Sequence, residues 1–238
     1  MRTLNVSKTL ALALSCAALV FGVARTTAQA QTTIVCDPAG DAIFSSGNGG
    51  PAVPPWLDII QAEVTLDANN NLLFTLTMNA AIPTAPAWNG VDDGGQLWWG
   101  YRAVNDLATD ATIKNGCVKA PGGSIPEGYF MDLVWDVTSA TFHARLLDDT
   151  TCAQSVIPYF FSPDRARVTL VVAQALLSNP ALIPNPNQFQ FLAATEVWKA
   201  NSTGNTSFFT TDLTPNLVNG QLVAVTWSAS SSASYDCP

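Results

Sequence analysis

The strongest constraint on the fold is a hydrophobic alternation with a period of two. Apolar and polar residues alternate through Leu57–Leu66, and the same period returns in Leu72–Met78. Successive side chains of a strand point to opposite faces of a sheet, so this pattern predicts two strands with one buried face each. The run Asp67–Asn71 between them is rich in turn formers. The two strands should therefore form a hairpin.

Eight further segments have strand character, which brings the predicted total to about ten. They are Gln96–Val104, Gly128–Val137, Ala140–Leu147, Ser155–Phe161, Arg165–Ala173, Gln188–Trp198, Ser207–Thr211 and Gln221–Trp227. Polar or Pro/Gly turns separate nearly all of them, which favours two antiparallel sheets packed face to face. We therefore predict an all-β, jelly-roll-like antiparallel β-sandwich with one short helix at Gln174–Ser178. The long connections Pro83–Gly95 and Asn105–Glu127 are where function is expected.

The first thirty residues have the features of an export signal. Arg2 and Lys8 precede the apolar run Leu10–Val23, and Ala28–Ala30 has the small-x-small pattern of a signal-peptidase site. The apolar run is shorter than the roughly 20 residues that span a bilayer. We expect cleavage after Ala30 and one β-sandwich domain over residues 31–238. It should be secreted, extracellular or periplasmic, without a membrane span.

Four cysteines follow the predicted signal, namely Cys36, Cys117, Cys152 and Cys237. In an oxidising compartment they predict two disulfides, for which three pairings are possible. Cys36 and Cys237 stand at the two ends of the mature chain, which favours a bond that ties the ends together. Cys117–Cys152 would then be the inner bond. Zinc is disfavoured because the chain has no Cys-x-x-Cys pair and one histidine.

The charge and the motifs exclude several classes of function. The formal net charge is −8, and nucleic acid needs a basic face for its phosphates. His143, the only histidine, alternates outward with Thr141 and Arg145, which predicts a solvated position rather than a catalytic one. Motifs of common nucleophile, zinc and phosphate sites are missing. We expect no catalysis, with a carboxylate-based glycan hydrolase as an alternative because spatial carboxylate pairs are invisible in sequence.

The tryptophans suggest a ligand platform, since exposed aromatic rings commonly stack on the apolar face of a sugar. Trp98 and Trp99 are adjacent in a predicted strand and must point to opposite faces, so one should lie outside the core. That ring would be exposed or covered by a long loop. Trp88 lies in a predicted loop and is another candidate. The predicted ligand-binding residues are these three with Tyr101.

The stretch Cys36–Ala42, CDPAGDA, places two aspartates around a Pro/Gly turn. A tight turn at the entrance to the sandwich is the simplest interpretation. Aspartate oxygens are also the ligands that Ca²⁺ prefers, so an ion site is the alternative.

Several motifs, taken in order, resemble those of the family 9 carbohydrate-binding module and its glucodextranase C-terminal and DOMON-like relatives, which are exported bacterial β-sandwiches. The motifs are Asp37–Asp41, Leu57–Ile59, Asn71–Leu76, Tyr101–Asp106, Gly128–Leu133, Arg165–Val172 and Phe189–Ala193. The resemblance implies saccharide binding between aromatic rings and structural Ca²⁺ beside acidic loops. It assigns the metal corner to Asp37, Asp41 and Asp58.

Together these features predict an exported, non-catalytic module that binds a polysaccharide or cell-surface glycan, with Ca²⁺ as its cofactor. A surface or matrix protein that self-associates is the alternative. Only 12% of the residues are charged and the mean hydropathy is positive, both compatible with edge-to-edge assembly of sheets.

Overall fold

A computed structural model describes residues 31–42, 52–87, 95–105, 128–200, 206–215, 225–235 and 237. These residues form thirteen strands and two 3-10 helices, Pro55–Leu57 and Gln174–Leu176. The strands are β1 (Gln31–Cys36), β2 (Ile59–Leu66), β3 (Asn71–Met78), β4 (Gln96–Val104), β5 (Tyr129–Asp136), β6 (Thr141–Asp148), β7 (Gln154–Val156), β8 (Tyr159–Phe161), β9 (Arg167–Ala173), β10 (Gln188–Ala200), β11 (Thr206–Thr214), β12 (Val225–Ser228) and β13 (Ala233–Tyr235).

The strands form two sheets, which confirms the predicted all-β sandwich. The first sheet has the order β13-β1-β2-β3-β9-β8, and the second has the order β11-β10-β4-β5-β6-β7 with β12 also paired to β10. Neighbouring strands are antiparallel except for β1 and β13, which are parallel. The inward-facing side chains of both sheets form one shared hydrophobic core.

The β2–β3 hairpin forms where the alternation and turn residues predict it. One carboxylate oxygen of Asp67 accepts hydrogen bonds from the backbone N–H groups of Asn69 and Asn71, each at 2.8 Å. Asn70 takes a positive φ of 60°, a conformation that asparagine tolerates better than most residues. Local side-chain chemistry therefore sets this turn, and the turn sets the register of the hairpin.

The segment Ser155–Phe161 is not one strand, as predicted, but two. β7 pairs with β6 in the second sheet, and β8 pairs with β9 in the first. Pro158 lies between them and has no N–H group to give to a ladder, so the chain leaves one sheet and enters the other. The short strands β1 and β13 were not predicted, because three to six residues carry too little periodicity.

Tyr101 joins the two sheets inside the core. It lies on β4 of the second sheet, yet its hydroxyl donates to the carbonyl of Thr75 at 2.5 Å and accepts from the N–H of Glu63 at 3.0 Å, both in the first sheet. Its ring also packs against Phe74, with centroids 5.1 Å apart. Burial raises the pKa of Tyr101 well above its ordinary value, so the hydroxyl keeps the proton that it donates.

The predicted bond between the chain ends is present, since Cys36 and Cys237 form a disulfide. Cys152 is also disulfide-bonded, and Cys117, its predicted partner, lies outside the described residues. The predicted signal segment lies outside them as well. Within the described part of the chain, none of the helices has the length and apolar character needed to cross a membrane.

Candidate metal centre

Three carboxylates meet at the corner where β1 ends. Asp37 directly follows β1, Asp41 lies at the end of the CDPAGDA turn, and Asp212 comes from β11 in the other sheet. One oxygen from each lies within 4.8 Å of the other two. We call this set the acidic corner. Asp37 and Asp41 of the predicted metal corner belong to this group together with Asp212, and Asp58 does not.

Asp58 supports the turn beside the acidic corner. Its Oδ2 accepts hydrogen bonds from the N–H of Gly40 and from the side-chain amide of Asn79, each at 2.7 Å. Gly40 has a φ of +86°, where a residue with a Cβ would be strained. Asp58 is 3% exposed, and its Oδ1 has no hydrogen-bond partner in the structure. A buried carboxylate oxygen without a partner is costly, so this corner has an unused acceptor.

The environment of Asp212 perturbs its carboxyl group strongly. Its Oδ2 accepts from the N–H of Ile59 at 2.5 Å, and its Oδ1 accepts from the N–H of Leu213 at 2.8 Å. Burial, followed by the negative charges of Asp37 and Asp41, raises the pKa of Asp212 to about 7 despite these hydrogen bonds. Three negative charges in a partly buried corner repel one another unless a proton or a cation neutralises them.

A β-bulge brings Asp212 to this position. The register between β10 and β11 shifts at Thr195 and Glu196, which leaves Thr211 as an extra residue. The hydroxyl of Thr195 bonds the hydroxyl of Thr211 at 2.7 Å and the carbonyl of Leu57 at 2.6 Å. Bulges re-aim side chains, and this one leaves the carboxylate of Asp212 bonded to the N–H that starts β2.

The acidic corner offers oxygen donors alone. Its three members are carboxylates, and Thr214 adds a hydroxyl that hydrogen-bonds Asp37. Ca²⁺ takes six to eight oxygen ligands, with water filling positions that protein leaves open. Transition metals that prefer imidazole or thiolate do not match this donor set. The residues present therefore fit a hard divalent cation.

None of the described aromatic candidates presents an exposed ring. Trp99 and Tyr101 lie in the core, and the indole N–H of Trp99 donates to the carbonyl of Trp56 at 3.0 Å. Trp98 lies on the outer face of the second sheet, as the adjacency argument requires, but is only 3% exposed. The guanidinium of Arg145 sits 4.5 Å above its ring. Trp88 lies outside the described residues.

The outer face of the second sheet carries a buried charged cluster that the sequence analysis missed. Arg102 donates to Asp132 at 2.9 Å and to Glu196 at 3.0 Å, and its guanidinium stacks 3.8 Å from the ring centroid of Phe130. Arg145 lies 3.7 Å from the second oxygen of Asp132. Isolated ionic residues at outward positions of otherwise apolar strands are the signal that could have revealed this cluster.

Gly100 makes room for this cluster. It lies directly opposite Asp132, and a Cβ at Gly100 would fall 2.3 Å from a carboxylate oxygen of Asp132 and 2.7 Å from the carbonyl oxygen of Met131. We expect Gly100→Ala to lower the free energy of unfolding by about 1–3 kcal/mol, as overpacking does. Urea denaturation measures this. A midpoint equal to that of the unmodified protein would contradict it.

Comparisons with known proteins do not assign the chain to a family or give a function to the acidic corner. No protein-family model matches the chain. No curated protein matches it significantly. The resemblance to the family 9 carbohydrate-binding module therefore stays a prediction.

Proposed function

We propose that this protein is a non-catalytic β-sandwich binding module whose acidic corner holds one Ca²⁺ ion. The observation that carries the proposal is the convergence of Asp37, Asp41 and Asp212 within 4.8 Å. Asp37 and Asp41 lie just after β1 of the first sheet, and Asp212 lies on β11 of the second. A cation there would tie β11 of the second sheet to the end of β1 in the first.

Two further features favour a cation over a solvated acidic patch. Asp212 is buried, and its neighbours raise its pKa, so its ionised form is unfavourable without a counter-charge. Asp58, one hydrogen bond from the same turn, has a buried oxygen that lacks a partner. Solvated turn carboxylates, such as the exposed Asp164, share neither property.

Calorimetric titration of the purified, metal-stripped protein with CaCl₂ at about pH 8 tests the proposal, because Asp212 is then ionised. We expect one ion to bind, and MgCl₂ to bind more weakly because Mg²⁺ sheds water reluctantly. Asp41→Asn should weaken Ca²⁺ binding about tenfold or more, because affinity follows the ligand charge.

Asp164→Asn is the matched control, since it removes the same charge from an exposed turn. Its Ca²⁺ affinity should equal that of the unmodified protein. Failure to bind Ca²⁺, or equal losses in the two variants, would reject the acidic corner as an ion site.

The identity of the larger ligand is a separate proposal. None of the tryptophans whose side chains the structure describes is exposed, so a glycan would need another surface of the protein. Self-association is the competing proposal, and light scattering during gel filtration distinguishes them. A strict monomer at high concentration would remove self-association.

A further inference from the structure

A cleft opens at one edge of the sandwich, between the second sheet and the segment after β9. Its volume is about 420 Å³, within the range of about 300–1,000 Å³ typical of small-molecule sites. Tyr129, Leu146 and Ser155 line it from β5, β6 and β7, while Leu176 and Ser178 line it from the other side. We call this the edge cleft.

Asn179 holds the two walls of the edge cleft together. Its backbone N–H donates to the hydroxyl of Tyr129 at 2.7 Å, and its side-chain amide donates to Asp148 at 2.9 Å and to Thr150 at 3.0 Å. The side-chain Oδ1 of Asn179 accepts a hydrogen bond from the backbone N–H of Ala181 at 3.0 Å. These contacts fix the shape of the cleft before any ligand arrives, which lowers the entropy cost of binding.

The charge of the edge cleft excludes anions. Burial raises the pKa of Asp148, but hydrogen bonds from Asn179 and Thr150 outweigh it, so the pKa lies below its ordinary value and the carboxylate is ionised at neutral pH. None of the described lining residues is Lys, Arg or His. The oxygens of Asp148 already accept from Asn179, Thr150 and Thr151, so they offer little to a cationic ligand.

The groups left for a ligand are neutral hydroxyls beside apolar surface. No described hydrogen bond uses the side chains of Ser155 or Ser178, and Tyr129 accepts one bond while retaining a proton to donate. Leu176 is 42% exposed and provides the apolar surface. Each hydroxyl both donates and accepts, and this pairing of hydroxyls with an apolar wall matches a sugar residue, which has both kinds of surface.

We propose that the edge cleft is the binding site for one residue of a neutral saccharide. This inference rests on the proposed role as a binding module, but it requires nothing of the acidic corner. Ser155 and Ser178 bond the sugar hydroxyls from opposite walls, and Leu176 covers one apolar face of the ring. Acidic sugars are repelled by Asp148.

Calorimetry with cellohexaose, xylohexaose, maltohexaose and laminarihexaose tests the edge cleft, with oligogalacturonate as the anionic comparison. We expect at least one neutral hexasaccharide to bind and oligogalacturonate not to bind. Ser178→Ala and Leu176→Ala should each weaken binding about fivefold, the equivalent of about 1 kcal/mol for one lost contact. Both residues are exposed, so thermal unfolding should be nearly unchanged.

Val156→Ala is the matched control. Val156 is 90% exposed on the neighbouring β7 strand but does not line the edge cleft, so its removal should leave saccharide affinity unchanged. If a hexasaccharide bound equally to Ser178→Ala, Leu176→Ala and Val156→Ala, the edge cleft would be rejected as the binding site. The proposal that the protein is a binding module would still stand. Absence of binding by all four hexasaccharides would overturn the saccharide assignment. CaCl₂ titration of the same samples reports on the acidic corner independently.

Discussion

Replacing Arg102 by Met should lower the free energy of unfolding by about 3–5 kcal/mol, the cost of removing one partner from a buried ion pair. Arg102 donates to Asp132 and Glu196, and all three side chains are buried. Without Arg102, two carboxylates remain in a poorly solvated place with fewer compensating charges. Met keeps an apolar stem against Phe130, so the loss reports mainly on the charges.

Urea denaturation at about pH 7 measures this effect, with Arg167→Met as the matched control. Arg167 pairs with Glu63 at 3.4 Å, but its side chain is 49% exposed. Exposed ion pairs contribute about 0–1 kcal/mol, so the control should change little. If the two variants lost the same stability, the charged cluster around Arg102 would have to be well solvated, contrary to its burial.

The same charged cluster lies on a sheet face that is buried, and this burial is why Trp98 is not exposed. The prediction from alternation assumes that each strand has one buried and one solvated face. In β4 and β5, however, both faces are buried. The near-continuous apolar runs of Gln96–Val104 and Tyr129–Asp136 are typical of strands covered on both sides. Trp98 therefore lies outside the core without being exposed. The continuous apolar character of these two strands was visible in the sequence, but a search for alternating residues does not detect it.

Local chemistry made other parts of the structure predictable. The β2–β3 hairpin follows from alternation and from the turn residues after Asp67, all within about twenty positions of one another. The disulfide between Cys36 and Cys237 was predicted from their places near the two ends of the segment expected to remain after signal cleavage. Asp212 was not predictable in this way, because its place beside Asp37 depends on the pairing of distant strands and on a bulge.

We expect the affinity of the acidic corner for Ca²⁺ to depend strongly on pH. Ca²⁺ binds ionised carboxylates, and the pKa of Asp212 is raised to about 7 by burial and by its acidic neighbours. Binding must therefore release a proton below that pH. Affinity should be highest above about pH 7, and at about pH 5 it should be roughly 100-fold lower, or tenfold for each pH unit below the pKa.

Without the metal, the same carboxyl makes stability fall as the pH rises. The pKa of Asp212 is raised above its unfolded value, so the stability from its protonated form is complete below about pH 4 and is lost as the pH rises to about 7. In EDTA, the melting temperature should fall between about pH 5 and pH 8, and Ca²⁺ should restore it at the higher pH by binding the folded state.

Asp212→Asn should remove both the pH dependence of stability in EDTA and the stabilisation by Ca²⁺. An amide neither titrates nor supplies charge to the ion. Its melting temperature in EDTA should change less between about pH 5 and pH 8 than that of the unmodified protein, and Ca²⁺ should raise it little at either pH. Asp164→Asn, which removes an exposed carboxylate that is not part of the acidic corner, should keep the full pH dependence and the full response to Ca²⁺. A Ca²⁺ response that survives in Asp212→Asn with the same pH profile would mean that the ion, if it binds, is held without Asp212. Asp212 would then not be a ligand, and the ion would not link β11 of the second sheet to the end of β1 in the first.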